Sequence, residues 1–220
     1  TSQAEGARPQ PPGSRRPAPG LTAQASTPFF PVAVWYSGGK ARAPMIAPLT
    51  ADSAREWRED LRKIKSLGFN TVRTWVEWSA GEPRQGEYRL ENFELMLRLA
   101  EEAGLRVIVQ VYVDSAPDWV GRAHPDGRFT SQSGATIESQ AAPGYCVDHP
   151  GVREAVHGFF REVARRASAS PAFHAYDVWS EPAVMNWALP AYVPNAQYCY
   201  CPHSVARFRE WVRRKYGNLE

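Results

Sequence analysis

A regular alternation of strand-like and helix-like segments is the feature that most constrains how this chain can fold. The clearest strand is RVIVQVYV at 106–113, a continuous β-branched run of the kind found in parallel sheets. The helical segments carry apolar residues at spacings of three and four, as at Trp57, Leu61 and Ile64, and end near a glycine such as Gly68. The predicted strands are 29–37, 70–78, 106–113 and 173–181, and the predicted helices are 52–69, 90–105, 149–168 and 204–217.

Strands that alternate with helices predict right-handed βαβ units and a parallel α/β sheet. Two architectures compete, an open doubly wound sheet and a (β/α)₈ TIM barrel, which typically needs about 250 residues. The segment SGGKARAP after the first strand lacks the glycine pattern of dinucleotide-binding proteins. Its absence argues against a nucleotide-binding, doubly wound sheet. Four predicted strands in 220 residues therefore favour the first half of a TIM barrel, with about four βα units.

The first 28 residues differ in composition from the rest of the chain. They contain six prolines and almost no large apolar side chain, so we predict a disordered leader or linker at 1–28, followed by the barrel domain at 29–220. Thr1 is not an initiator methionine, so we expect the chain to be processed or excised, which leaves export and the compartment open. A net charge of +3 argues little for a nucleic-acid partner, and no apolar run reaches the ~18 to 20 residues of a membrane span.

Acids, an arginine and tryptophans fall at the predicted carboxyl ends of the strands, where the active sites of barrels lie. They are Arg73 and Glu77 on the second strand, Asp114 and Trp119 after the third, and Glu181 at the end of the fourth. Carboxylates beside flat aromatic faces are what glycoside hydrolysis requires. The alternative for each is structural: a surface glutamate, a salt-bridged arginine, or a core tryptophan.

Four stretches resemble a clan-A glycoside hydrolase, closest to the family 42 β-galactosidases. They are WREDLRKIKSLGFNTVRTWVEWSAGEPRQGEYRLENFELML, GLRVIVQVYVDSAPDW, YDVWSEP and YCYCPHSVARFREWVRRKYGNLE. The resemblance covers about residues 29–220. It implies a retaining glycoside hydrolase, β-galactosidase-like, that acts on the terminal O-glycosidic bonds of a carbohydrate substrate, and it allows a homo-oligomer in the full-length protein.

The resemblance also implies roles for four residues. Glu181 is similar to the general acid/base, Arg73 to the arginine that braces the nucleophile, and Trp119 to a residue that lines the pocket. Ser180 stands where the family has an asparagine that contacts the sugar 2-hydroxyl. The family's nucleophile lies on a seventh strand, so we expect these 220 residues alone to be inactive. The alternatives are a non-catalytic carbohydrate-binding barrel and another clan-A hydrolase, such as a β-mannosidase or a glucanase.

The three cysteines, Cys146, Cys199 and Cys201, form a second group of candidate residues, with His203 close by. A Cys-x-Cys spacing is poor geometry for a disulfide, whereas thiolates and an imidazole suit tetrahedral zinc. Three reduced thiols, or one disulfide from Cys146, are the alternatives. The family often has one upstream zinc cysteine and a C-x-C-x-x-C cluster, whose last position here is Ser204. We therefore expect a structural zinc with His203 as the fourth ligand.

Overall fold

The computed structural model describes residues 28–39, 45–137, 144–178 and 197–217. The chain divides into two units, Thr1–Phe30 and Pro31–Glu220, and the elements given below belong to the second. The predicted leader at 1–28 lies outside the described residues except for Pro28, so its disorder stays a prediction.

The second unit is built on a four-stranded sheet in the order β1-β2-β3-β4. All three strand pairs are parallel, which confirms the parallel arrangement predicted from the strand–helix alternation. The strands are β1 (Ala33–Trp35), β2 (Thr71–Glu77), β3 (Arg106–Tyr112) and β4 (Phe173–Asp177).

The first strand is much shorter than the predicted segment 29–37. Its pairing with β2 begins at Ala33, and just before it the backbone N–H of Val32 donates to the side-chain oxygen of Asn70 at 2.8 Å. Pro31 precedes it and has no N–H to add to the ladder. The backbone N–H of Asn70 in turn donates to the Val32 carbonyl at 3.2 Å, so Asn70 bonds Val32 through both its backbone and its side chain.

Six α-helices connect or follow the strands within the described residues. Four correspond to predicted helices, and the short α2 and α4, which lie in the segments after β2 and β3, were not predicted. A single 3₁₀ turn follows α4 at Pro125–Gly127. The helices are α1 (Ser53–Ser66), α2 (Trp78–Gly81), α3 (Glu91–Glu102), α4 (Asp118–Ala123), α5 (Pro150–Ser168) and α6 (Pro202–Tyr216).

Glycines end two of these helices as the sequence predicts. Gly68 follows α1 with φ of +93° and Gly104 follows α3 with φ of +66°. Residues with a Cβ adopt this left-handed region only with strain, so glycine is the favoured residue directly after a helix.

The hydrophobic core lies between the sheet and α1, α3 and α5. Alternate residues of β2 and β3 are buried toward the helices, and the helices bury one face each. The opposite face of the sheet carries Arg73, Trp75 and Tyr112, which are only partly buried. Fully or almost fully buried side chains of the core include Trp57, Leu61, Val72, Phe93, Met96, Val107, Val109, Phe159 and Val163.

The last helix differs from the other long helices. No residue of α6 is buried among those that the structure describes, and Phe208 and Trp211 of its predicted apolar face are 62% and 44% exposed. Within the described part of the chain, none of the helices combines the length and apolar character that crossing a bilayer demands.

Leu61 offers a direct test of the packing between α1 and the sheet, because its side chain is 0% exposed. We predict that Leu61→Ala lowers the free energy of unfolding by about 2 to 5 kcal/mol, through lost apolar burial and the cavity left behind. Arg62→Ala, an exposed neighbour on the same helix, is the control and should change it little. Denaturant unfolding followed by circular dichroism measures both, and an equal effect of the two variants would contradict the packing.

Candidate active site and cysteine cluster

The carboxyl ends of the four strands lie at one edge of the sheet because all the strands are parallel. Three aromatic side chains form a row at this edge. The rings of Trp35 and Trp75 are 5.4 Å apart between centroids, and those of Trp75 and Tyr112 are stacked at 4.9 Å. The row therefore crosses β1, β2 and β3 and presents flat faces on the side of the sheet away from the helices.

Arg73 is held at this edge by Asp177. The Arg73 Nε donates to Asp177 Oδ2 at 2.9 Å, and the guanidinium makes a second bond to the same oxygen. The guanidinium carbon also lies 4.4 Å from the ring centroid of Trp35, a cation–π contact. Because β3 lies between β2 and β4, the ion pair ties two strands that are not neighbours.

Asp177 is a site residue that sequence reasoning missed. In the predicted strand 173–181 it precedes Glu181 by four positions, so strand alternation would predict the same face for both side chains. The even spacing of Asp177 and Glu181 could have identified Asp177 as a site residue from the sequence. Its pairing with Arg73 could not be found this way, because it depends on the register between the strands.

Two predicted site residues, Ser180 and Glu181, lie outside the described residues, in the segment 179–196. Their roles and the predicted proximity of Glu181 to Arg73 therefore stay predictions. On β4 the last strand residue is Asp177, followed by Val178.

Glu77 ends β2 and joins two loops by hydrogen bonds. Its Oε1 accepts from Ser79 Oγ at 3.1 Å and from Ser115 Oγ at 2.8 Å, and the two hydroxyls are 2.7 Å apart. These contacts link the segment after β2 to the segment after β3, which also holds Asp114. The carboxylate of Glu77 thus has a structural role at the rim.

Trp119 is 8% exposed and belongs to the hydrophobic core. Its Nε1 donates to the backbone carbonyl of Glu82 at 3.0 Å, and its ring meets Trp78 edge-on at 6.0 Å. The carboxylate of Glu82, which sequence reasoning missed, is 3% exposed and accepts from Trp78 Nε1 at 2.8 Å. These contacts are the ones expected of a core tryptophan, which the sequence analysis gave as the structural alternative. The role of Trp119 in lining a pocket stays a prediction.

The three cysteines converge as the sequence analysis predicts. Their sulfur atoms all lie within 4.8 Å of one another, and those of Cys146 and Cys201 are 3.7 Å apart. Cys146 and Cys201 are buried, Cys199 is half-buried, and none is in a disulfide. The cluster joins the segment before α5 to the segment before α6.

Hydrogen bonds to the sulfur atom of Cys199 favour its thiolate form, the form that metals bind. The Cys146 thiol donates to Cys199, and backbone amides of Thr130 and Cys201 lie 3.5 and 3.4 Å from the Cys199 sulfur. The bond from Cys146, followed by these amides, lowers the pKa of Cys199 to about 5 despite its burial. The same bond, together with burial, raises the pKa of the Cys146 thiol.

His203 does not join the sulfur atoms. Its Nε2 lies 3.1 Å from Asp126 Oδ2, whereas Ser204 Oγ lies 3.2 Å from Cys146 Sγ. Both residues are in the first turn of α6, where consecutive side chains point about 100° apart, so only one can face the cysteines. The sequence analysis expects His203 as the fourth ligand of a zinc bound to the three cysteines. The residue of α6 that lies beside the sulfur atoms is Ser204 instead.

A separate histidine–carboxylate cluster lies near the cysteines and consists of Asp126, His149 and His203. His149 Nε2 is 3.1 Å from Asp126 Oδ1, and the hydrogen bond from His203 is the main cause that lowers the pKa of Asp126. His149 Nδ1 accepts the backbone N–H groups of Gly151 and Val152 and so caps α5. The neutral His149 ring must then carry its proton on Nε2. With that nitrogen acting as a donor to Asp126, the three side chains form a hydrogen-bonded brace between the starts of α5 and α6.

The parallel sheet of four strands, with helices against one face, defines a protein of the α/β class whose rim carries acids, aromatics and an arginine. Against known proteins, the model of the glycoside hydrolase family 42, described as beta-galactosidase, matches residues 49–220. The chain belongs to this family.

Relatives of the chain are β-galactosidases. Beta-galactosidase BgaP of Planococcus sp. (strain L4) is 25% identical over 190 residues, which are 85% of this chain and 25% of that protein. Beta-galactosidase LacZ of Heyndrickxia coagulans is 23% identical over 165 residues, 74% of this chain and 23% of that protein. The chain thus spans about a quarter of the length of the curated relatives it matches.

A solved structure shows the same fold. It is a catalytic mutant of Gan42B, a GH42 β-galactosidase from G. stearothermophilus, with a TM-score of 0.63 and 24% identity. The likeness covers 77% of this chain and 23% of that one. It confirms that the four βα units are part of a TIM barrel, as the sequence analysis predicts.

The Arg73–Asp177 pair can be tested by a double-mutant cycle with Arg73→Ala, Asp177→Ala and the double variant. The two side chains are 22% and 20% exposed, so their interaction is only partly screened by water. We predict a coupling free energy of about 1 to 3 kcal/mol in denaturant unfolding. The control pair, Arg161 and Glu154, is 68% and 69% exposed and should show almost no coupling. Equal coupling in the two cycles would contradict the bracing role.

Proposed function

We propose that this chain supplies the first half of the catalytic barrel of a retaining glycoside hydrolase, β-galactosidase-like, that cleaves terminal O-glycosidic bonds of a carbohydrate. The observation that carries the proposal is the match of residues 49–220 to the beta-galactosidase family model. The chain spans about a quarter of its relatives, so the activity is proposed for the complete protein. A homo-oligomer of that protein stays a prediction.

The proposed domain is the barrel at 29–220, preceded by a leader at 1–28. The described residues contain four strands, and a closed TIM barrel has eight. In the family the nucleophile is a glutamate on the seventh strand. We therefore expect the 220 residues alone to be inactive.

Glu181 is the proposed general acid/base. It would protonate the leaving oxygen in the first step and remove a proton from water in the second, as a retaining mechanism requires. The support is its place in the sequence, four residues after Asp177, which is the last residue of β4 at the rim. At the carboxyl ends of the described strands, Trp35, Trp75 and Tyr112 offer flat faces on which sugar rings can stack.

Arg73 is the proposed bracing residue for the nucleophile. Its guanidinium is fixed in orientation by Asp177 and by the ring of Trp35, so it can present its remaining N–H groups at a constant place. Trp119 is proposed to shape the pocket from behind, since its own indole N–H is already bonded to Glu82.

A second candidate function rests on Ser180. Serine is shorter than the family's asparagine and has a hydroxyl in place of an amide, so it cannot make the same direct contact with a sugar 2-hydroxyl. This change favours either a different sugar, as in a β-mannosidase or glucanase, or a barrel that binds carbohydrate without cleaving it.

We also propose a structural zinc at Cys146, Cys199 and Cys201. The support is the donor set of three converging thiols and the backbone N–H bonds to their sulfur atoms. Zinc there would tie the segment before α5 to the segment before α6. A metal held this way would stabilise the rim and take no part in hydrolysis.

The test of the hydrolase proposal is Glu181→Gln in the complete protein. General acid–base catalysis contributes typically 10²- to 10⁴-fold, so we predict that kcat on an unactivated disaccharide falls by about that factor. Glu101→Gln, which changes an exposed acid on α3, is the control and should leave kcat unchanged. In Glu181→Ala, azide should restore part of the turnover of an activated aryl glycoside, because it can occupy the space of the missing carboxylate.

Three outcomes separate the alternatives. Near-normal turnover of the disaccharide by Glu181→Gln would rule out Glu181 as the acid/base. Preference for a mannoside or glucoside over a galactoside, in a panel of nitrophenyl glycosides, would identify another clan-A hydrolase. Sugar binding by the wild type without hydrolysis of any substrate in the panel would favour the binding barrel.

A further inference from the structure

The fourth corner of the cysteine cluster is occupied by an oxygen atom. Ser204 Oγ lies 3.2 Å from Cys146 Sγ and 3.4 Å from Cys201 Sγ. It reaches this place from the first turn of α6, whose N-terminal residues follow directly on Cys201. The oxygen thus contacts two of three sulfur atoms that lie within 4.8 Å of one another.

The hydrogen bonds of Ser204 show how its hydroxyl is oriented. Its Oγ lies 2.8 Å from Asp148 Oδ2, and an ionised carboxylate can only accept, so the hydroxyl proton points to Asp148. The lone pairs of Oγ are then left to face the sulfur atoms of Cys146 and Cys201. Asp148 is itself held by Arg207, whose Nε lies 3.0 Å from Oδ1.

The dimensions of this group suit a tetrahedral metal. Zn–S bonds of ~2.3 Å and Zn–O bonds of ~2.1 Å give tetrahedral edges of about 3.8 Å between sulfurs and about 3.6 Å between sulfur and oxygen. The corresponding distances are 3.7 Å for Cys146–Cys201, and 3.2 and 3.4 Å for the two contacts of Ser204. Metal binding would require movements of only a few tenths of an ångström along these edges.

The two nearby histidines are engaged elsewhere. His203 is bonded to Asp126 and belongs to a group separate from the sulfur atoms. His149 uses Nδ1 to cap α5 and Nε2 to bond Asp126. An imidazole ligand at the cysteine cluster would therefore require this hydrogen-bonded brace to break.

We propose that the fourth zinc ligand is the hydroxyl oxygen of Ser204, with Asp148 as the residue that positions it. This inference rests on the zinc proposed above, and it gives Ser204 the fourth place that the sequence analysis expected His203 to fill. The site then has three thiolates and one neutral oxygen, in place of four thiolates or three thiolates and an imidazole. A neutral hydroxyl is a weaker ligand than a thiolate, so a cysteine at this position should bind the metal more tightly.

The experiment measures metal binding by the complete protein, with zinc affinity from chelator competition and Co²⁺ as the spectroscopic probe. The double variant Cys199→Ser/Cys201→Ser lacks two of the proposed ligands. Its signal is subtracted from every measurement, which removes the contribution of metal bound at other sites. We expect one equivalent of metal in the wild type. In Ser204→Cys the thiolate-to-cobalt charge-transfer absorption should rise by about one third, as four thiolates replace three, and zinc should bind more tightly.

Two further variants test the positioning of the oxygen, and one serves as the matched control. Ser204→Ala and Asp148→Asn should each weaken zinc binding by about 10- to 100-fold, the usual effect of losing a ligand or its hydrogen-bond partner. His203→Ala, one residue away in the same helical turn, should leave the affinity and the cobalt spectrum unchanged. Equal thermal midpoints of the metal-free variants would show that these differences arise at the metal.

The outcomes distinguish this inference from the zinc proposal itself. No metal in the wild type beyond that of the double variant would overturn both. One equivalent of metal that is weakened by His203→Ala and not by Ser204→Ala would keep the zinc and assign the fourth position to His203. One equivalent with an affinity and spectrum unchanged by Ser204→Ala would also overturn the serine ligand.

Discussion

The parallel pairing of β2 with β3 is the interaction on which the rest of the structure depends. It joins seven consecutive residue pairs, from Thr71 with Arg106 to Glu77 with Tyr112, without a break. One face of this pair buries its branched side chains under the helices, and the other carries the arginine and aromatic side chains of the candidate site. Because β1 and β4 add in parallel at the two sides, the carboxyl ends of all four strands meet at one rim.

Two sets of contacts brace this rim on either side of the segment that contains Ser180 and Glu181. Before that segment, Asp177 ties β4 to Arg73 on β2. After it, the cysteine cluster and the brace of Asp126, His149 and His203 tie the start of α6 to the start of α5. The chain thus enters and leaves the 179–196 segment at positions that tertiary contacts hold. This is an arrangement that suits a catalytic acid, which must be kept within a fraction of an ångström of its substrate.

The sequence predicted those elements whose signal is local. The β-branched run at 106–113 matches β3 to within one residue, and Gly68 and Gly104 end their helices as expected. The short helices α2 and α4 were missed because four and six residues contain too few turns for a periodic pattern to appear. The apolar spacing of α6 predicted a packed face, whereas among the described residues this face is exposed.

The site was less predictable because its contacts depend on register and helix phase. The pairing of Arg73 with Asp177 follows from how β2, β3 and β4 align, and no local pattern encodes that alignment. The convergence of the cysteines came from a family resemblance. The position of His203 was decided by where α6 begins: a start at Pro202, two residues before the predicted one, places both His203 and Ser204 in the first turn and turns their side chains apart.

The most direct test of the hydrolase assignment is the stereochemistry of the first product, followed by proton NMR of the complete protein acting on an aryl β-galactoside. A retaining double displacement releases β-galactose first, and its anomeric signal should appear before mutarotation produces the α form. Immediate appearance of α-galactose would show a single displacement and contradict the retaining mechanism. The absence of any hydrolysis would contradict the assignment as a β-galactosidase.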